Sequence, residues 1–446
     1  MDVIVLAIVF VLLILAIKTF AKDTIIKFSG YSFVLYWYGS LIVSTLSPYG
    51  LFNVSFGSYL LLIIGTISFV AGLLMSFPKK NYFRGFEKSS ICLVIEKLVT
   101  SKFVCTIYTV FTVYFAKYTL AAMAFAALSG NIQTREQLEF IFLGNAKAQL
   151  LHGYVVTPML HIALVLLAYA FLNLKGNFRR FVIPIVILVF FFIEYLLITG
   201  GRSTIIIAAM YFLLTFFVLK YQDGMKILSL KRIIIVLSIF FAVSAVYTFS
   251  NIYRTTGTLD ITMKEESQDK SAGGLFETMA RYSLCPIVLF DRSVDNDYLG
   301  RFGYQYGRAT FMGFDSWIAI FMEKIGVNYN STSYITEYLE ENYYQYDKSG
   351  NTANYAYTGL LYHYLDFGFI GIIIFPLLFG FLYSKIILLL YRQPSFPTLL
   401  LLGIGYFMLL HSLFTCYFIK GWVALYISLL CFFIYFKKNR VKRVVK

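Results

Sequence analysis

Six consecutive residues, Thr199-Gly200-Gly201-Arg202-Ser203-Thr204, sit between two apolar runs and carry the ingredients of an anion site. The two glycines let the chain reverse closely. Ser203 or Thr204 can cap the helix that follows, whose first N–H groups and positive dipole end then face out of the turn. Arg202 adds a planar guanidinium suited to two phosphate oxygens at once. The same arginine could equally rest on lipid phosphates. A second pattern, Asp295-Asn296-Asp297, has the Asp-x-Asp form that holds a metal and a sugar nucleotide. Two aspartates two apart arise readily by chance in an acidic segment. No cluster with metal-ligand spacing accompanies them, so neither a metal nor a cofactor is expected.

These residues have to be positioned by a chain of unusual composition. Of 446 residues, 59% are hydrophobic and only 14% charged, which excludes a soluble globular protein. The expected class is all-α, a polytopic membrane protein. A net charge of +15 would suggest nucleic acid in a soluble chain, but here its distribution follows the membrane and no nucleic-acid partner is expected. The five cysteines are scattered singly, with only Cys285 in the longest polar segment. They read as small apolar residues.

Eleven runs are long enough to cross roughly 30 Å of hydrocarbon as helices: 2–20, 29–48, 55–77, 103–127, 153–172, 181–199, 203–219, 233–250, 369–390, 397–416 and 420–436. The basic tail Lys437, Lys438, Arg440, Lys442, Arg443 and Lys446 belongs in the cytoplasm by the positive-inside rule. Counting back places the amino terminus outside. On that assignment the inner segments hold 24 Lys/Arg and the short outer ones are nearly bare. The first helix, beginning Met1-Asp2, has no basic region before it and no small-residue cleavage site, so it reads as a span and not a cleavable signal.

Three regions follow: helices 1–8 in residues 1–250, a large external loop in 251–355, and an outer helix, three spans and the basic tail in 356–446. The loop carries nine Lys/Arg, fourteen Asp/Glu and many tyrosines, densest from Tyr329 to Tyr355. It is far longer than an ordinary connection. Within it, Gly274 to Phe290 is apolar apart from a few residues that include Arg281. Phe311 to Ile325 has the apolar pattern of a helix lying in the interface. The loop is therefore expected to lie over the membrane. After it, Tyr355 to Leu390 is too long for one straight span, and Asp366 with Gly368 divides it. That reading puts Asp366 at the water boundary. Lys117 and Glu194 fall inside spans, where a charge is costly, and could pair or serve an outer-facing cavity. His161 and His411 read as packed, hydrogen-bonded histidines.

At these residues the chain resembles the bacterial oligosaccharide repeat unit polymerases, the O-antigen and capsular polysaccharide polymerase family, related in architecture to O-antigen ligases. The likeness rests on the Gly200-Gly201-Arg202-Ser203 turn, on one large external loop late in the chain, and on the stretch from Asn354 through Asp366-Phe367-Gly368 to Gly371 entering the next span. It covers the whole chain in topology and about thirty residues in motif.

The resemblance implies transfer of a glycan from one undecaprenyl diphosphate to the non-reducing end of a repeat unit on another. The reaction would run at the outer face of the bacterial cytoplasmic membrane without metal or nucleotide. Arg202 and Arg281 match the arginines that would hold the diphosphate, with Ser203 beside Arg202. A lipid diphosphate leaves readily when cations neutralise its developing charge. The acceptor hydroxyl needs a positioned base, for which Asp291, His363 and Asp366 are the candidates. The chain departs from the ligases, which carry a His-Asn pair near the start of this motif. Here Tyr357-Thr358 occupies that place and His363 lies six residues later. Implied partners are the undecaprenyl-diphosphate-linked oligosaccharide, membrane lipids, a chain-length regulator and a flippase. The rival readings are an O-antigen ligase and a transporter or flippase of the same lipid-linked sugars. Transporters tend to show internal repeats and midplane sites; no repeat is seen here.

The charge asymmetry has a direct test. In a cysteine-free variant, single cysteines near Ser271 and Lys348 should react with an impermeant thiol reagent in intact cells, and one near Lys80 should not. Labelling at Lys80 with protection of both loop sites would invert the topology.

Overall fold

The computed structural model describes residues 3–75, 88–129, 146–174, 178–199, 203–219, 273–348, 350, 352–353 and 357–444. In chain order the helices are α1 (Val3–Phe20), α2 (Thr24–Thr45), α3 (Phe56–Met75), α4 (Lys88–Val99), α5 (Lys102–Ser129), α6 (Ala146–Leu151), α7 (Thr157–Asn173), α8 (Phe178–Thr199) and α9 (Ser203–Leu219). Then come α10 (Gly273–Asp295), α11 (Tyr298–Phe302), α12 (Met312–Lys324) and α13 (Ser333–Glu341). A short antiparallel pair, β1 (Tyr344–Gln345) and β2 (Thr352–Ala353), precedes α14 (Gly359–Phe367), α15 (Phe369–Arg392), α16 (Phe396–His411) and α17 (Gly421–Val444).

The architecture is that of an all-α membrane protein with one two-residue ladder added. Five stretches are long and apolar enough to cross a bilayer: Val3–Phe20, Phe56–Met75, Lys102–Leu120, His152–Asn173 and Phe369–Arg392. Shorter apolar helices lie at Ile207–Leu219, Phe396–His411 and Gly421–Phe436. The apolar run 233–250 lies outside the described residues. The division expected between Tyr355 and Leu390 is present, because α14 and α15 are separate helices meeting at Gly368. That residue has φ +60° and ψ −137°, a backbone that an L side chain does not adopt without strain.

The chain forms two compact units, one of Met1–Phe86 with Ala272–Lys446 and one of Glu87–Ser271. In the first, α3 and α15 run against each other with their backbones in contact. A Cβ on Gly72 would lie 1.9 Å from the Leu377 carbonyl oxygen, and one on Gly380 would lie 2.1 Å from that of Phe69. Small residues allow such a crossing and van der Waals packing stabilises it. Buried hydrogen bonds join distant parts of the sequence around it. Asp23 caps α2 through the amides of Ile25 and Ile26 and accepts from Tyr391 Oη at 2.7 Å. Ser29 and Tyr383 share a hydrogen bond of 2.9 Å, and Trp37 Nε1 donates to Ser412 Oγ at 3.1 Å. In an apolar interior each such group would be costly if left unpaired.

The second unit packs α5 on α8 and α7 on α9. Tyr108 donates to the Met159 carbonyl at 3.0 Å and meets Phe191 edge-on, while His161 Nδ1 and Tyr211 Oη are 2.8 Å apart. His161 is thus a packed, hydrogen-bonded core residue, as its isolation in an apolar run suggests. In the first unit His411 is likewise buried, among Phe407, Phe414 and Tyr417. A single π-helical turn, His152–Val156, leads into α7.

The α3–α15 crossing predicts a sharp asymmetry among glycines. Gly72→Ala must push the helices apart and should lower thermal stability by roughly 1–3 kcal/mol or more. Gly39→Ala, with nothing within 4 Å of its new Cβ, should melt like the parent. Fluorescence-detected size exclusion after a heating series measures both.

Candidate functional site

The candidate residues that the structure describes fully, Asp291, His363 and Asp366, all lie in the first unit, and all are buried. Asp366, near the end of α14, is fully buried within the protein and not open to water. Its position follows from what it holds. Asp366 Oδ1 accepts from the Ala309 amide at 2.9 Å and Oδ2 from the Thr310 amide at 2.8 Å. Two further bonds run from the same loop to the backbone of α14: Gln305 N–H to the Leu365 carbonyl at 3.0 Å and Tyr306 N–H to that of Asp366 at 3.2 Å. One turn earlier on α14, His363 Nδ1 is 2.8 Å from Thr310 Oγ1. Asp366 and His363 together therefore clasp residues 305–310 onto α14. Burial raises the Asp366 carboxyl above the usual carboxylate range, against the lowering effect of the hydrogen bonds it accepts. Burial pushes the His363 imidazole down to about 3, so it is neutral near pH 7.

Asp291, in the last turns of α10, makes a different contact. Its Oδ1 accepts from the Ser55 amide at 3.0 Å and from the Ser55 hydroxyl at 2.6 Å, and Ser55 in turn caps the first turn of α3 through Ser58. The carboxylate thus ties α10 to the start of α3. Of the three candidate bases, two are committed to backbone amides. His363 Nε2 and the second carboxylate oxygen of Asp291, Oδ2, make no hydrogen bond among the described residues.

The His363 ring lies among phenylalanines, with centroids 5.2 Å from Phe375 and 5.4 Å from Phe379. Phe311 sits beside both, and Phe418 stacks on Phe379 at 5.1 Å. This aromatic cluster forms one end of a cavity of about 520 Å³ between α2, α3, α14, α15, α16 and α17. The cavity follows α15 from Pro376 to Leu389, about 20 Å of helix at 1.5 Å per residue. Its walls are almost wholly apolar, with Lys385 and Cys431 towards the other end. The volume is in the ordinary range of roughly 300–1,000 Å³ for ligand pockets. An elongated apolar space with one imidazole and few other polar groups suits a hydrocarbon chain.

The loop clasped by α14 has its own polar core, which the sequence reading missed. Asp315 on α12 is buried and accepts from Arg308 Nε at 3.0 Å, from the Thr332 amide at 2.7 Å and from Tyr329 Oη. Burial alone would raise this carboxyl, but the hydrogen bonds from Arg308, Tyr329 and Thr332 outweigh it and hold it below the usual range. The available signal was Asp315, set between Phe314 and Ser316-Trp317-Ile318 in a largely apolar stretch.

The remaining candidates divide as follows. Arg202 lies outside the described residues, and Ser203 opens α9 with its side chain undescribed. Arg281 is carried on α10, and its side chain too is undescribed. Asp297 caps α11 by accepting from the Gly300 amide at 3.0 Å, a structural use of half the Asp-x-Asp pair. No group of three His, Cys, Asp or Glu suited to a metal occurs among the described residues. Lys117 and Glu194 are not paired with each other. Glu194 accepts from Thr119 Oγ1 at 2.6 Å, and Lys117 Nζ lies 4.1 and 4.8 Å from the rings of Tyr114 and Tyr118.

Compared with protein families, with curated proteins and with solved structures, the chain matches none.

The clasp makes a graded prediction. Asp366→Asn keeps one acceptor oxygen and Asp366→Ala keeps none. Each buried amide left without a partner costs about 1–3 kcal/mol. Thermal stability, and the hydrogen-exchange protection of Ala309 and Thr310, should fall modestly in Asn and severely in Ala. Equal protection in both variants would remove Asp366 from the clasp.

Proposed function

We propose that the chain is a metal-independent glycosyltransferase of the membrane. It joins oligosaccharide repeat units carried on undecaprenyl diphosphate into an O-antigen, capsular or other exopolysaccharide. On this reading it spans the bacterial cytoplasmic membrane eleven times, with the amino terminus and the large loop outside and the basic tail in the cytoplasm. The observation that carries the reading is the apolar cavity of about 520 Å³ along α15, which ends at His363 beneath the clasped loop. A polyprenyl chain is the apolar part of such a substrate, and the cavity gives it a place beside membrane-spanning helices. Its polar head would then lie at the His363 end, next to the tyrosine-rich loop.

The reaction breaks the bond between the anomeric carbon of the donor glycan and its diphosphate, and forms a glycosidic bond to a hydroxyl on the non-reducing end of the acceptor repeat. The hydroxyl proton needs an acceptor. His363 Nε2 and Asp291 Oδ2 make no hydrogen bond among the described residues, whereas both oxygens of Asp366 are engaged with amides. That leaves His363, at the cavity, and Asp291 as the bases the site offers and makes Asp366 a positioning residue. The electron pair leaves on the diphosphate, for which the resemblance assigns Arg202 and Arg281 as the neutralising cations and the Ser203 hydroxyl as a hydrogen-bond donor.

The role of Arg202 follows from its place after two glycines at a helix start. A two-toothed contact to phosphate does not tolerate an ammonium, which is a point donor. Arg202→Lys should therefore damage polymerisation nearly as much as Arg202→Ala. Loss of such a contact costs on the order of 10²-fold in rate, enough to collapse a polymer ladder to single repeat units in cells. Protein level is the control. Well-expressed Arg202→Ala protein that still makes long polymer at the parental rate would take Arg202 out of the mechanism and leave Arg281 as the next diphosphate ligand.

A further inference from the structure

We infer that Tyr304, Tyr306 and Phe367 form a preorganised sugar-binding strip, the subsite on which the glycan of the substrate rests. The inference builds on the proposed polymerase reading and names the part of that site that meets carbohydrate. Tyr306 is the most solvent-open of the three at 72% exposure, with Tyr304 at 52% and Phe367 at 38%. Their rings are neighbours, Tyr304 to Tyr306 at 6.3 Å and Tyr306 to Phe367 at 5.9 Å between centroids. The strip continues towards exposed Tyr334, whose hydroxyl meets the Gln305 amide oxygen at 3.5 Å.

The backbone beneath the strip argues that this exposure is a built feature. Tyr306 has φ +52°, in the left-handed region, and Gly307 follows at φ +92°. The other described non-glycine residues with positive φ are Ser47 and Asp297, small polar side chains of the kind that visit this region more readily. A bulky tyrosine there is an outlier, and such outliers persist only where the surroundings over-determine them. Here they do. The Tyr306 amide is bound to the Asp366 carbonyl, the Gln305 amide to that of Leu365, and Ala309 and Thr310 to the Asp366 carboxylate. Gln305 itself is fixed by donating to the carbonyls of Phe302 and Gly303. Tyr304 is close against Gly368, where a Cβ would stand 3.4 Å from its ring. A buried carboxylate and a strained turn thus fix the backbone from which the two tyrosine rings project at the protein surface.

Two kinds of surface could meet such rings, a lipid headgroup layer or a sugar. Anchoring in the interface is achieved by aromatic side chains on ordinary helices, and exposed Phe369 and Ile370 at the start of α15 already offer that nearby. It requires no left-handed backbone. A shallow glycan site gains little from each contact and depends on contacts held ready before binding. Tyrosine supplies a flat apolar face for the C–H side of a sugar ring and a hydroxyl at the rim. The strip carries no charge, which suits a neutral oligosaccharide better than a phosphate.

The test uses full-length protein in phosphatidylglycerol nanodiscs. The probe is the pool of oligosaccharides released by mild acid from the lipid-linked intermediates of cells carrying the gene, so that neither lipid nor diphosphate is present. Isothermal titration calorimetry should show binding to the parent, weakened at least tenfold in Tyr306→Ala and within about threefold in Tyr306→Phe. Tyr306→Gly removes the ring and relieves the left-handed strain, so it should bind as weakly as Tyr306→Ala while melting at or above the parental temperature. Full binding by Tyr306→Gly, or no binding by the parent, overturns the inference. Quenching of the strip by brominated phospholipids without any sugar binding would assign it to the membrane instead. Sugar binding with no polymer formed would sink the polymerase reading and leave the strip standing; polymer formed with binding unchanged in Tyr306→Gly would do the reverse.

Discussion

The first unit depends on one constraint, the backbone contact between α3 and α15. Apolar helices in hydrocarbon gain little from hydrophobic burial against one another, because the solvent is apolar too. Dispersion contacts and internal hydrogen bonds remain, and both need close approach. Gly72 and Gly380 supply that approach. With the two axes fixed, the hydroxyls and carboxylate placed on α2 and α15 can find each other, as Ser29 with Tyr383 and Asp23 with Tyr391. The cavity is bounded by the same pair of helices, so its shape is a by-product of the crossing.

A second layer of order is built on α14. That helix is short and tucked between the loop and α15, and its charged and ionisable groups serve the loop. Asp366 and His363 turn residues 305–310 into a rigid platform, and Asp315 does the same for Arg308, Tyr329 and Thr332 through a separate set of hydrogen bonds. The two carboxylates differ in their electrostatics because their donors differ. Asp315 has an arginine beside it, which favours the charged form, while Asp366 has amide and hydroxyl donors only and feels its burial more strongly. In neither case is the carboxylate spare. That is why acidic residues near a presumed reaction centre are poor evidence for a base until their partners are known.

The helices were legible in the sequence because their signals are local and redundant. Long apolar runs, a basic tail and the Gly368 break each depend on a few neighbouring residues. The apolar run Phe311–Ile325 was also readable as a helix, and α12 covers most of it. What could not be read was pairing across distance. Asp366 looked like a boundary residue because the sequence shows the polar stretch before it but not the amides of Ala309 and Thr310 more than fifty positions earlier. Asp291 looked free for the same reason, since its partner Ser55 is 236 residues away. For Lys117 and Glu194 a pair and separate roles were both open, and tyrosine rings and a threonine meet them separately. Burial and partners are properties of the fold, and a single sequence carries them only through residue types.

The bond between Asp23 and Tyr391 spans 368 positions of the chain, and this bears on the order of events during synthesis. A ribosome makes α2 before α15 and α16, and α2 meets its partners Tyr383, Tyr391 and Ser412 only once those later helices exist. Through that interval the early helices carry an acid, a serine and an indole whose final partners do not yet exist. Residues 87–271, which form a unit of their own, are translated in between. The nascent chain must therefore hold its opening helices in a provisional state, and a product truncated before Tyr391 would have no means of completing them.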